Sequence, residues 1–155
     1  MIDDFLSGDS YRVWSATWET IRSRDSEQLD AVLAALPEIR RATADLDLGG
    51  GIIPNRDSLK HAFAKLANYR KGACWCANYP HNLRYDPEKE QRAGHVRILE
   101  ASEPPWSRTF RCACSVCGTV FAIQEGEHHA TWWSWKRSRT PATAEGRPPA
   151  GERPS

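Results

Sequence analysis

The 155-residue sequence lacks the features that mark membrane, secreted or strongly charged proteins. No apolar run approaches the roughly 20 residues that a transmembrane helix needs. The opening residues, MIDDFLSGDS, hold neither a basic segment nor an apolar one, so no secretory signal peptide is predicted. An excess of one charge is also missing, because 21 Lys and Arg against 20 Asp and Glu leave a net charge of +1. We therefore predict a cytoplasmic protein that has no membrane segment and is not a general polyanion binder.

The sequence also lacks the motifs of enzyme classes that use histidine, cysteine or serine. A zinc deaminase needs H-x-E followed by P-C-x-x-C, and none of the five histidines begins that pattern. H-E-x-x-H and G-x-S-x-G are absent as well. The glycines of residues 49–51 do not have the spacing of a phosphate-binding P-loop. Since no motif supplies an open metal position or a paired acid and base, we predict that the protein is not an enzyme.

The first 72 residues have the periodicity of helices. Trp14, Trp18 and Ile21 recur at the i, i+4, i+7 spacing of one apolar helix face, and Asp9 or Ser10 precedes them as a candidate N-cap.

Two more helices are predicted in this region. One begins near Asp25, where Gln28 takes the reciprocal position of a capping box. Pro37 has no amide hydrogen, so we expect it to break that helix or to restart it. The other follows residues 54–55 and ends before Gly72.

After Gly72 the pattern changes to the alternation of strands. It is clear over residues 96–98, 109–112, 120–123 and 129–135, and residues 125–127 are predicted as the turn between the last two strands. The order of elements predicts an α+β fold, with N-terminal helices packed on a small antiparallel sheet.

We predict one α+β domain over residues 1–137, helical over 1–72 and with a zinc-bearing sheet over 73–137. Residues 138–155 contain four of the ten prolines and no large apolar side chain. Because such a segment buries too little surface to offset its ordering entropy, it is predicted to be a disordered tail.

The five cysteines fall in two clusters, which in a reducing compartment indicates metal binding. Cys74-Trp75-Cys76 forms the first, and Cys114 and Cys117 form a C-x-x-C-G knuckle in the second. Two pairs some 35 residues apart supply the four thiolates of a tetrahedral zinc site. Residues 73–136 thus resemble the zinc-ribbon group, although C-x-C replaces the usual first C-x-x-C. We predict zinc bound by Cys74, Cys76, Cys114 and Cys117.

Three other side chains remain candidate replacements for one of these ligands. Cys112 shares a strand face with Cys114, and otherwise packs as a small buried thiol. His81 and His128 follow the two cysteine pairs closely enough to reach a metal. His128 and His129 are predicted to point to opposite sheet faces, so at most one of them reaches it.

The segment W-W-S-W-K-R at residues 132–137 is the candidate partner-binding surface. Trp132 is predicted to be an exposed interface anchor, with Lys136 and Arg137 beside it. Trp133 and Trp135, on the other strand face, are expected to pack inward. The competing interpretation is that these aromatic and basic residues bind single-stranded nucleic acid.

The overall layout resembles bacterial immunity proteins of polymorphic toxin systems. The resemblance is carried by Cys114–Gly118 and by the Trp-rich strand His129–Lys136. It implies a protein that neutralises a cognate toxin by covering its active site. Residues 1–60 hold eleven acidic and seven basic residues, a surface suited to a basic toxin or simply a solvated helical face. The alternative is a nucleic-acid-binding zinc ribbon.

Removal of residues 138–155 is expected to leave the Tm within about two degrees of the full-length value, because this segment contributes no core. Thermal unfolding followed by circular dichroism measures the difference. A fall well beyond that range in a truncated chain that still folds would show that the tail docks on the domain.

Overall fold

The structure is a computed structural model that describes residues 1–51, 54–103 and 107–138. The chain divides into two compact units, residues 1–82 and 83–155. The predicted tail lies outside the described residues from residue 139 onward, and the single domain over residues 1–137 stays a prediction. Within the described ranges, no helix combines the length and the apolar character needed to cross a membrane.

The first unit is helical. Its four α-helices are α1 (Ile2–Phe5), α2 (Ser10–Arg22), α3 (Ser26–Thr43) and α4 (Asn55–Arg70), followed by a 3₁₀ helix (Trp75–His81). Helix α1 contacts α2 and α3, and α4 contacts α2, α3 and the 3₁₀ helix. The core of this unit is made by the buried side chains of Phe5, Val13, Ala16, Leu29, Val32, Ile39, Leu48, Leu59 and Leu66.

The predicted starts of α2 and α3 are confirmed by their N-caps. The carboxylate of Asp9 accepts a hydrogen bond from the amide of Arg12 at 2.8 Å. Asp25 likewise accepts from the amide of Gln28 at 3.1 Å. Each cap satisfies one of the amides that a helix start leaves without a partner, so the two boundaries are fixed by local chemistry.

The predicted apolar face of α2 is wrong in part. Ile21 is buried, but Trp14 and Trp18 are only half-buried. The buried stripe is instead formed by small or β-branched residues at the same helical spacing, namely Val13, Ala16, Thr17 and Thr20. Small side chains allow close approach to neighbouring helices, so the bulkier tryptophans lie at the margin of the packed face.

Pro37 neither breaks nor restarts α3, which runs without interruption from Ser26 to Thr43. The missing proline amide removes the hydrogen bond to the carbonyl of Leu33. Pro37 is exposed, which is where this loss costs least because water can satisfy the freed carbonyl.

The second unit contains the sheet, and the predicted α+β class is confirmed. It comprises α5 (Pro87–Arg92), β1 (Val96–Ala101), β2 (Thr109–Cys114), β3 (Val120–His128) and β4 (Ala130–Arg137). The strands are antiparallel in the order β1-β2-β3-β4. The pairing of β1 with β2 shifts by a bulge between Ile98 and Glu100.

Two details of the predicted sheet are wrong. Residues 73–95 contribute no strand, because the first cysteine pair lies at the 3₁₀ helix instead. The β3–β4 turn lies at His129, which has a φ of 57°, and not at residues 125–127. Gly126 is therefore a mid-strand residue opposite Trp132.

One sheet face carries most of the buried side chains of the second unit. They are Val96, Phe110, Cys112, Cys114, Phe121, Ile123, Glu125 and Trp135. Trp135 contacts Phe121 edge to face at a centroid distance of 5.6 Å, and its Nε1 donates to the carbonyl of Tyr85 at 2.8 Å. The amide of Trp133 donates to the carbonyl of Leu83 at 2.9 Å, so residues 83–85 run beside β4.

His61 gives the first unit a pH-dependent stability. It is buried on α4, and burial lowers its pKa to about 4, with the charges of His81 and Lys65 acting in the same direction. Its ordinary pKa is near 6.5, so between pH 6.5 and 4 the unfolded chain binds the proton and the folded chain does not. The free energy of unfolding therefore falls as the pH falls through this window.

Urea unfolding measured at pH 7 and at pH 4.5 is expected to show a smaller loss of stability for His61→Gln than for the wild-type chain. The exposed His128→Gln is the matched control, and it should behave as the wild type does. Equal pH dependence in all three proteins would show that His61 is not the group responsible.

Candidate metal centre and β4 surface

The first cysteine pair is placed by the start of the 3₁₀ helix. Cys74 is its N-cap, and its carbonyl accepts from the amide of Ala77 at 2.9 Å. The chain enters from α4 through Gly72, whose φ of +65° favours glycine, and the amide of Ala73 returns to the carbonyl of Asn68 at 3.0 Å. Cys74 is half-buried and Cys76 is buried.

The second pair is placed by the turn between β2 and β3. Cys114 is the last residue of β2, and its carbonyl accepts from the amide of Gly118 at 3.0 Å. Gly118 has a φ of +71°, a left-handed conformation that a side chain would strain. The Sγ of exposed Cys117 lies 3.2 Å from the hydroxyl of Thr119. These contacts form the knuckle that the C-x-x-C-G spacing predicts.

The structure brings the four predicted cysteines together. The Sγ atoms of Cys74, Cys76, Cys114 and Cys117 all lie within 4.8 Å of one another, and none forms a disulfide. Tetrahedral zinc with bonds of about 2.3 Å separates its sulfurs by roughly 3.8 Å, so this cluster needs only a slight contraction to hold the ion. Among the described residues, this is the one group of three or more His, Cys, Asp or Glu that could hold a metal.

The other three candidate ligands lie outside this group. Cys112 is 0% exposed, and burial raises its pKa to about 12, so its thiol remains protonated at neutral pH. It pairs with Phe121 across β2 and β3, as a packed apolar residue would. His81 and His128 are both exposed.

The predicted orientation of the adjacent histidines is wrong. His129 occupies the turn, and its ring lies 4.3 Å from that of His128. Because the strand ends at His128, the alternation of faces that the prediction used does not extend to His129.

The chemistry of the cluster is that of a closed shell. Four thiolates fill every position of a tetrahedral ion, whereas catalytic zinc keeps one position for water or substrate. A metal held by these sulfurs would stabilise the local conformation of the chain. It would leave no position for substrate activation.

The prediction that Trp132 is exposed is wrong, because its side chain is partly covered. It is half-buried, and its indole lies across Gly126 so closely that a Cβ at residue 126 would stand 2.1 Å from the ring. Because glycine has no side chain, the aromatic ring opposite it can pack directly on the backbone of the sheet. Lys136 and Arg137 are both exposed, but alternation along β4 puts only Lys136 on the face of Trp132.

The same sheet face is concave. A depression of about 480 Å³ has a largely apolar surface there, and its lining also includes the polar residues Glu100, Arg111, Gln124, Ser134 and Lys136. The guanidinium of Arg111 donates to the carboxylate of Glu100 at 2.8 Å, so one of the two cations in this depression is already paired.

Trp133 packs inward, as expected from its position on the other face. Its Nε1 donates to the carboxylate of Glu125 at 3.0 Å, and that carboxylate is only 4% exposed. Arg108 donates to both oxygens of Glu125, at 3.3 and 3.2 Å, and to Glu88 at 3.0 Å. The bond to Glu125, then the bond to Glu88, raise the pKa of Arg108 against the opposing effect of burial.

A second aromatic surface was not expected from the sequence. Tyr11 is 73% exposed and stacks on Trp14 at 5.9 Å, while the guanidinium of Arg22 lies 5.8 Å from the ring of Trp18. Trp14 and Trp18 are predicted to face the core because their own spacing is helical. The competing stripe of Val13 and Ala16 has the same spacing and is the signal that identifies the buried face.

Substitution of single cysteines tests which of them bind the metal and which only pack in the core. Cys117→Ser is expected to lose the metal, whereas Cys112→Ala should keep one metal ion per chain because its sulfur lies outside the group. Elemental analysis of protein made in minimal medium, with native mass spectrometry, measures the stoichiometry. Equal loss in the two variants, or a folded wild-type chain without metal, would contradict this ligand set.

The evidence for a metal centre comes from the residues of this chain. Comparison with protein-family models, with curated proteins and with solved structures finds no match. The donor atoms of the cluster and the distances between them indicate four cysteines that are placed to hold a metal ion.

Proposed function

We propose that the protein is a non-enzymatic, cytoplasmic zinc-binding protein that acts by binding another protein. The proposed metal binding rests on one observation: four cysteine sulfurs, none of them in a disulfide, lie within 4.8 Å of one another. Zinc fits this donor set because it favours tetrahedral thiolate coordination and has no redox chemistry. The closed shell supports a structural role for the ion and therefore a function that resides in the protein surface.

The face of β4 that carries Trp132 supports the second half of the proposal. A half-buried indole that rests on Gly126 offers a rigid aromatic contact, since its ring is already held in place. Aromatic side chains of this kind are enriched among the residues that dominate protein–protein binding energies. Lys136 and the concave surface beside it supply polar groups for the rim of such an interface.

The partner proposed is a protein, with a cognate toxin as the most specific form of the idea. Binding over a toxin's active site requires no catalysis by this chain. Residues 1–60 contain more acidic than basic residues, and this negative charge would complement a basic toxin.

A nucleic-acid partner is the second candidate, and the structure offers one observation in its favour. Arg111 and Lys136 both line the depression on the face of Trp132. Glu100 pairs with Arg111, however, which leaves little uncompensated positive charge there for phosphates. We therefore place the protein partner first.

Protein purified under native conditions from its own host is expected to carry a second chain, which native mass spectrometry detects together with the metal. Once that chain is identified, Trp132→Ala should weaken the complex by about 2 kcal/mol in calorimetry, with the zinc retained. Tyr11→Ala is the matched control, because it removes an exposed aromatic ring from α2 and should leave the affinity unchanged. Equal affinities of the wild type and Trp132→Ala would contradict the proposed surface.

Trp132 also packs on Gly126, so its substitution could disturb the fold as well as the interface. A second variant, at exposed positions, tests the same surface without this effect. Lys136→Ala plus Arg137→Ala removes two exposed cations and should weaken the protein complex modestly. If the wild-type chain instead shifts labelled single-stranded DNA or RNA at physiological salt, and this variant abolishes the shift, nucleic-acid binding replaces protein binding.

A further inference from the structure

Trp75, the residue between the first two cysteines, has two cations over its ring. The guanidinium carbon of Arg24 lies 4.4 Å from the ring centroid, and the Nζ of Lys65 lies 4.1 Å from it. Both distances are well inside the range of about 6 Å at which a cation is attracted to the face of an aromatic ring. The indole is therefore fixed by contacts from two parts of the first unit, the link between α2 and α3 and the middle of α4.

Lys65 is itself anchored. Its side chain is 0% exposed, and its ammonium donates to the carbonyls of Thr20, Ile21 at 2.8 Å and Ser23 at 2.6 Å. These three carbonyls lie at the C-terminal end of α2, where the helix dipole favours a positive charge. All three donors of the ammonium are satisfied, so the amine cannot move away from the Trp75 ring without losing these bonds.

Two opposing effects act on the charge of Lys65. Burial lowers its pKa to about 7, and the nearby charge of Arg24 acts in the same direction. The three carbonyls and the ring face favour the ammonium form. The geometry is that of a bound cation, because a neutral amine has only two hydrogens to donate to three acceptors.

The backbone of Trp75 is held as firmly as its ring. Its carbonyl accepts from the Nδ2 of Asn78 at 2.9 Å. The Oδ1 of Asn78 accepts in turn from the Nδ2 of Asn68 on α4, also at 2.9 Å. Asn78 is buried, so these bonds are shielded from competing water.

We propose that Lys65 and Arg24 are positioning residues for the metal centre. They hold the Trp75 ring on one side of the chain so that Cys74 and Cys76 keep their sulfurs together as a preformed pair. This inference rests on the proposed metal-binding function. In a C-x-C sequence, rotation of the middle residue turns both neighbouring side chains, so fixing that residue removes conformational freedom that the metal would otherwise have to order.

The full-length chain, titrated with zinc against a chromophoric chelator, tests the proposal. Arg24→Gln and Lys65→Met are each expected to weaken zinc binding by about tenfold. Arg40→Gln is the matched control, since its guanidinium lies 5.2 Å from the ring of Phe63 in the same unit, and it should bind as the wild type does. Arg24→Lys keeps the cation and should restore most of the affinity.

Cobalt binding distinguishes positioning from loss of fold. Each variant loaded with Co²⁺ should give the absorption bands of a tetrahedral tetrathiolate site. Arg24→Gln and Lys65→Met should bind Co²⁺ more weakly than the wild type does, as they do zinc. Arg24 is exposed, so Arg24→Gln stays informative even if Lys65→Met fails to fold. Unchanged zinc affinity in Arg24→Gln, with a wild-type chain that binds zinc, would overturn this proposal alone. A wild-type chain that binds no metal would overturn the proposed function as well.

Discussion

Four cysteine sulfurs within 4.8 Å of one another are the constraint from which the rest of the functional interpretation follows. As thiolates they would repel one another, and as thiols they would gain little from such close approach. A cation with a preference for sulfur removes this conflict because it converts the repulsion into four bonds. Completing the coordination shell with protein atoms then leaves no place for a substrate on the ion, which is why we propose a function that resides in the protein surface.

The sequence is informative wherever a local rule decides the structure. Asp9 and Asp25 could be predicted as caps because capping needs only the residue and the amides that follow it. The knuckle at Cys114 and Cys117 was equally predictable, since its glycine and spacing define the turn. These features involve a few consecutive residues, and no distant contact can reverse them.

Features that depend on packing were harder to predict. The core face of α2 could not be chosen from spacing alone, because Trp14 and Val13 both begin stripes of helical period. Gly126 has the sequence context of a turn residue, yet it lies within a strand, where the ring of Trp132 occupies the space that a side chain would fill. The first cysteine pair gave no sign of a 3₁₀ helix, since its position depends on contacts with α4.

The tryptophans, unusually many for this length, have different roles among the described residues. Trp135 belongs to the core of the second unit, and the ring of Trp75 contacts the cations of Arg24 and Lys65. Trp132 and Trp133 differ although they are adjacent, because each is matched to its own partner on β3. Gly126 receives the indole of Trp132 on one face, and Glu125 accepts the indole N–H of Trp133 on the other. A slip of β4 by one residue would move the indole of Trp132 off Gly126 and would take the indole N–H of Trp133 away from Glu125, whose remaining donor would be Arg108. The two adjacent tryptophans thus fix the register of the hairpin. Any partner that binds β4 would therefore meet the same spacing of side chains each time.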